Sequence, residues 1–207
     1  MCGIAGLIHK DKSVNIGTRM QDMLQALKHR GPDSTGYALY CDGNTGDYVM
    51  RFKVGENVKE GSKAVNEDKS VYDSRKKLVD AYLAELGAEV IKEDRLTPYS
   101  FRYVIKYDKD LMEFSKKIES VEMTEVLSLG KSLEIIKDIG DAITVSKRYG
   151  LSKVKGTHAI GHTRMATESG VDISSAHPYW GYPFSDVSVV HNGQLTSYWN
   201  NRRALEK

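Results

Sequence analysis

The 207-residue chain has only two cysteines, Cys2 and Cys41. Two cannot build a disulfide scaffold, and neither sits in a CxxC pair. Both therefore read first as reduced thiols of the kind kept in the cytosol, and a cytoplasmic location is expected. The chain also lacks an excess of charge of either sign. Thirty Lys and Arg against 28 Asp and Glu leave a net charge of +2. That balance argues against a general nucleic-acid surface, because neutralising phosphates takes clustered excess base. No apolar run approaches the roughly 18–20 residues needed to cross a membrane, so no membrane partner is expected. The opening MCGIAGLIHK has no basic stretch followed by an apolar one, so no secretory signal is read there. Repeats and low-complexity segments are missing too. What remains is ordinary globular composition, 40% hydrophobic and 28% charged. As a length prior it is one domain, or one domain carrying an insert.

The chain changes texture twice. Residues 3–9 (GIAGLIH) read as a short strand. Thr18–Lys28 reads as a helix, with Met20, Met23, Leu24 and Leu27 at helical spacing. His29–Gly36 (HRGPDSTG) is turn chemistry. Tyr37–Cys41 and Tyr48–Val54 read as the two strands of a hairpin around Asp42–Asp47. From about Gly55, Lys and Glu become frequent and glycine thins out. Ser74–Leu86 reads as a helix stopped by Gly87, followed by strands at 89–93 and 101–107, a helix at 111–120 and strand-like sequence near 121–129. This α-β-β-α-β order suggests a ferredoxin-like α+β unit over 56–142. Glycine-rich, polar sequence then returns, with strands at His158–His162 and Val187–His191. The two ends share one texture. Residues 1–55 and 143–207 therefore read as a discontinuous catalytic domain, and 56–142 as an insert.

Candidate chemistry lies at those ends. A small residue after Met1 normally permits removal of the initiator, which would leave Cys2 with a free α-amine. One residue then supplies a thiol nucleophile and, with an α-amine titrating at about 7.7–8.0, its own base. Asn192 and Gly193 follow an apolar strand and read two ways. They are a side-chain amide beside an unhindered backbone N–H, suited to an oxyanion hole, or a type I′ turn. Arg164, in GHTRMATESG, is suited to clamp a carboxylate, with the Thr167 hydroxyl beside it, or is a loop arginine on the surface. Arg30 either bridges a turn or serves the site directly. Cys41 reads as a small buried hydrophobe. Tyr179, Trp180 and Tyr182 read as part of a loop over the site, or simply as packing residues. Four of the six histidines (158, 162, 177 and 191) fall in the last third. His158 and His162 lie on a strand, where a spacing of four is not the helical face that HExxH uses, so no metal is expected.

Taken together in order, Met-Cys-Gly-Ile, His29-Arg30-Gly31-Pro32-Asp33-Ser34, GHTRMATES at 161–169 and His191-Asn192-Gly193 resemble the class II glutamine amidotransferases, a family of N-terminal-nucleophile (Ntn) hydrolases. HTRMATES, Ala176-His177-Pro178 and HNGQLTSYW most resemble the stand-alone amidotransferase domain of glutamate synthase-type systems. The resemblance implies an α+β fold, the four-layer αββα sandwich of Ntn hydrolases, and hydrolysis of glutamine to glutamate and ammonia. It implies attack by Cys2 through a γ-glutamyl thioester, an oxyanion held by Asn192 and Gly193, and a glutamine site that includes Arg164, Thr167, Arg30 and Gln194. The implied partner is an ammonia-accepting synthase subunit. This chain has no phosphate-cradling glycine loop and no cysteine cluster, so no cofactor is expected in it, and FMN or an iron–sulfur cluster would belong to that partner. The family's acidic residue for the glutamine α-amine lies some way after the Asn-Gly turn and has no counterpart before Lys207. The sandwich is therefore expected to be incomplete at its C-terminal side, with weak glutamine affinity and poor stability. The competing expectations are a non-catalytic binding module of the same fold, or an amidotransferase domain serving another acceptor, as in asparagine synthetase or a phosphosugar aminotransferase.

Overall fold

The computed structural model describes residues 2–10, 13–42, 46–56, 67–165, 171–193 and 196–205. The fold is α+β, with three antiparallel sheets and five α-helices among the described residues. The first sheet contains β1 (Gly3–Ile8), β2 (Ser34–Cys41), β7 (Leu133–Ile139) and β8 (Gly156–Arg164), in the order β1-β8-β2-β7. The second contains β3 (Tyr48–Lys53), β4 (Glu89–Arg95), β5 (Ser100–Lys106) and β6 (Glu125–Gly130), in the order β4-β5-β3-β6. Two short strands, β9 (Tyr179–Trp180) and β10 (Ser188–Val189), pair with each other.

Helices α1 (Ile16–Ala26) and α4 (Ala142–Tyr149) pack on the first sheet. Ile16, Met20, Leu24 and Val145 meet Tyr37, Leu39 and Ile136 there. Helices α2 (Lys69–Leu86) and α3 (Leu111–Glu119) pack on the second, where Val79, Leu83, Phe114 and Ile118 meet Phe52, Phe101, Tyr103 and Ile105. A third apolar cluster, Ala38, Leu127, Leu133 and Ile135, joins β2 and β7 of the first sheet to β6 of the second. The first four helices start on side-chain caps that satisfy free N–H groups. Asn15 accepts from Thr18, Asp68 from Ser70, Asp110 from Glu113 and Asp141 from Thr144. The last helix, α5 (Tyr198–Leu205), is exposed along its described length.

The sheets are also joined by charge. Glu134 on β7 accepts from Arg51 Nε on β3 at 2.7 Å, and from Arg102 Nε and Nη2 on β5 at 2.9 Å each. Burial alone would raise the Glu134 carboxyl, but the Arg51 and Arg102 guanidiniums hold it down to about 2. Beside it, Glu125 on β6 bridges buried Lys137 of β7 at 3.0 Å and buried Lys53 of β3 at 3.3 Å.

Three expectations need correction. The hairpin of Tyr37–Cys41 with Tyr48–Val54 does not form: β2 pairs with β7 and β8, and β3 pairs with β5 and β6. Both edges of β2 are filled by strands far away in sequence, so local turn chemistry did not decide its pairing. The α-β-β-α-β order expected over 56–142 is present as α2, β4, β5, α3 and β6. Its sheet is completed by β3 from outside those bounds, however, while β7 from inside them joins the first sheet. The strand expected at 187–191 is reduced to two residues.

Candidate active site

The site is built around the end of β8. Register pairs Gly3 of β1 and Thr35 of β2 with Thr163, and Ser34 with Arg164. Cys2, one residue before β1, therefore arrives beside the last residues of β8. Its Sγ lies 4.0 Å from the Met165 carbonyl oxygen. Sequence order alone would leave these groups 163 residues apart. Adjacent antiparallel strands bring them together.

The Arg30 turn approaches the same place. Gly31 packs against the Thr163–Arg164 backbone so closely that a Cβ there would lie 2.6 Å from the Thr163 carbonyl oxygen. Only a residue without a side chain fits, and this close approach brings the turn to β8. The Asp33 N–H donates to the Arg164 carbonyl at 3.1 Å, fixing the turn. Arg30 Nε then donates to the Cys2 carbonyl oxygen at 3.2 Å. The same oxygen accepts from Asn192 Nδ2 at 3.0 Å. A side-chain amide has two N–H bonds, and among the described residues this is the one bond that the Asn192 amide is seen to make. Gly193 follows with φ of +141°, a conformation suited to glycine.

Cys2, Arg30 and Asn192, singled out in the sequence, are thus joined through one backbone carbonyl, with Gly193 next to it. Arg164 is buried at the end of β8 and near enough to His162 and His177 to oppose their protonation. Thr167 and Gln194 lie outside the described residues. Cys41 is half-buried on β2, and its thiol donates to the Leu39 carbonyl at 3.7 Å. Burial pushes that thiol up, so it stays protonated and unreactive.

The sequence reading missed how the histidines group. His162, His177 and His191 lie side by side, with ring centroids 4.9 Å and 6.4 Å apart along the series. Tyr179 of β9 meets the His177 ring edge-on at 4.5 Å and carries the Lys137 ammonium 4.7 Å from its own centroid. His162 is buried, and neither of its ring nitrogens has a hydrogen-bond partner among the described residues. Burial, with His177 and Arg164 adding to it, pushes His162 down to about 4. Burial and then Lys137, His191 and Arg164 do the same to His177. Both rings are therefore neutral near pH 7. The backbone carbonyl of His177 lies over Gly36 of β2, where a Cβ would collide with it. The only sequence signal for this grouping is the crowding of histidine into the last third.

No protein-family model matches the chain. Among curated proteins it is similar to a "Putative glutamine amidotransferase" of Methanothermobacter thermautotrophicus, 39% identical over 218 residues, covering all of this chain and 66% of that protein. It is similar to "Glutamine amidotransferase-like protein GlxB" of Rhizobium meliloti, 33% identical over 210 residues, covering 99% of this chain and 62% of the relative. A shorter match, 37% identical over 78 residues, joins 38% of the chain to 12% of a glutamine–fructose-6-phosphate aminotransferase of Bradyrhizobium diazoefficiens. The chain thus spans a little under two thirds of the length of the first two relatives.

Proposed function

The chain belongs to the class II glutamine amidotransferases, and from that premise we propose that it hydrolyses glutamine at Cys2 and hands the ammonia to a synthase partner of the glutamate synthase type. The observation that carries this reading is the meeting of Arg30 and Asn192 on the carbonyl of Cys2. A nucleophile and its oxyanion donor must be held in register before substrate arrives, because electrostatic stabilisation acts through prearranged dipoles. The layering of helices, sheets and helices supports assignment to the Ntn-hydrolase sandwich.

In the proposed reaction Met1 is removed and the freed α-amine of Cys2 takes the thiol proton, through a water. The sulfur attacks the glutamine δ-carbonyl carbon, and the electron pair of the C=O bond moves to oxygen. That oxyanion is held by the second N–H of Asn192 and the backbone N–H of Gly193. The α-ammonium returns its proton to the departing nitrogen, the C–N bond breaks, and ammonia leaves a γ-glutamyl thioester on Cys2. Water, deprotonated by the same amine, adds to the thioester. The C–S bond then breaks to release glutamate and restore the thiol. Arg164 would pair with the α-carboxylate of the substrate, with Thr167 and Gln194 completing the pocket. Arg30 clamps the Cys2 carbonyl and so fixes the nucleophile's backbone.

A diazo-ketone analogue of glutamine tests this directly. The expected result is one covalent adduct, mapped by mass spectrometry to Cys2, none on Cys41, and none at all after Cys2→Ala. Labelling that fails to appear, or that survives the substitution, sinks the reading.

A further inference from the structure

His177 lies outside the regular elements, yet its ring and backbone are both fixed. Its carbonyl rests on Gly36 of β2, and its ring packs between His162 of β8 and Tyr179 of β9. From that position its Nδ1 accepts the backbone N–H of His191 at 3.1 Å. His191 immediately precedes Asn192, whose side chain reaches Cys2. A continuous chain of contacts therefore runs from the first sheet through one imidazole to the oxyanion donors.

We propose that His177 is a positioning residue that sets Asn192 and Gly193 against Cys2 by accepting the His191 amide proton. The inference rests on the amidotransferase reading and adds a residue that the reading does not need. It requires a neutral ring protonated at Nε2, since an imidazolium would point an N–H at another N–H. The groups facing the ring favour the neutral form. Among the described residues they are His162 and Arg164 from β8, Lys137 from β7, His191 from the same loop and the Tyr179 hydroxyphenyl from β9. None of them is a carboxylate that would stabilise the imidazolium.

Two substitutions in the full-length protein separate this role from simple packing. His177→Leu fills similar space and removes the acceptor. His177→Asn places an amide oxygen close to where Nδ1 stood. Three quantities are read: steady-state glutaminase kinetics, the rate of Cys2 alkylation by iodoacetamide, and hydrogen exchange at the His191 amide. In H177L, kcat is expected to fall about ten-fold or more, with KM within about three-fold, because misplaced donors act on the transition state. Alkylation, which needs no oxyanion donor, stays at the wild-type rate, and the His191 amide loses protection. H177N restores both kcat and protection. Unchanged turnover in H177L, a fall carried by KM, slowed alkylation, or no recovery in H177N each overturns the proposal. If H177L does not fold, H177N decides alone: wild-type turnover with a protected His191 amide sustains the role, and loss of either ends it. A wild-type protein that releases no ammonia overturns the glutaminase reading instead. The His177 contact is then judged by exchange, protection lost with Leu and kept with Asn sustaining it.

Discussion

At the scale of single residues, the proposed mechanism makes Asn192 the most sensitive position after Cys2. Its amide donates to the Cys2 carbonyl and, in the proposed reaction, also to the place where negative charge would develop. Asn192→Ala should lower glutaminase kcat by about 10²–10³-fold, the usual loss for one oxyanion donor, with a much smaller effect on KM. Steady-state ammonia release at saturating glutamine checks it, and a variant within a few-fold of wild type would remove Asn192 from the mechanism. Cys2, Arg30, Asn192, Gly193 and Arg164 each read two ways by residue type alone, and only the order of their motifs along the chain pointed to one site. His177 was not among them. Its link to His191 crosses a loop, and its neutrality comes from burial and from Lys137 and Arg164, which sequence spacing does not reveal. The alternative of a turn at Asn192 was undecidable locally, since an Asn-Gly turn and an oxyanion loop use the same two residues.

At the scale of elements, β7 shows why part of the fold was hidden. It carries Glu134, Lys137 and Asp138, yet every residue from Leu133 to Ile139 is buried. The charges are buried because partners on other strands and helices meet them. Glu134 meets Arg51 and Arg102, Lys137 meets Glu125, and Asp138 accepts from Tyr99, Tyr149 and Arg148. A reading based on apolar alternation passes over such a strand, and α4 after it was missed as well. The strands and helices with a clean apolar face, β5 and α3 among them, were legible. Removing one member of a buried ionic group leaves the others unpaired, which costs more than the group contributes. Glu134→Gln is therefore expected to destabilise the protein by about 3–5 kcal/mol. The midpoint of urea unfolding measures it, and a shift worth less than about 1 kcal/mol would mean that water already reaches Arg51 and Arg102.

At the scale of the whole molecule, the neutral histidines make stability depend on pH. His162 and His177 are lowered from the ordinary 6.5 to about 4 in the folded protein. Between those values the unfolded chain binds more protons than the native one, so stability rises with pH across the window. The contribution is complete above about 6.5 and is lost as pH falls towards about 4. The Glu134 carboxyl works lower on the scale, since it stays ionised down to about 2. The urea midpoint should therefore be lower at pH 5 than at pH 7.5, and His162→Leu should narrow the gap. Equal midpoints at the two pH values would show that both rings charge freely in the native state.

The interleaving of strands has one last consequence. β3 precedes residue 56 and completes a sheet whose other members follow it, while β7 lies within 56–142 and completes a sheet begun at residue 3. Neither half of the polypeptide holds a finished layer. Expressed as separate fragments cut at 55/56, each piece would present raw strand edges until it found the other, and activity should return only on mixing. For the same reason a stretch such as 56–142 could not be exchanged among proteins as a self-contained cassette.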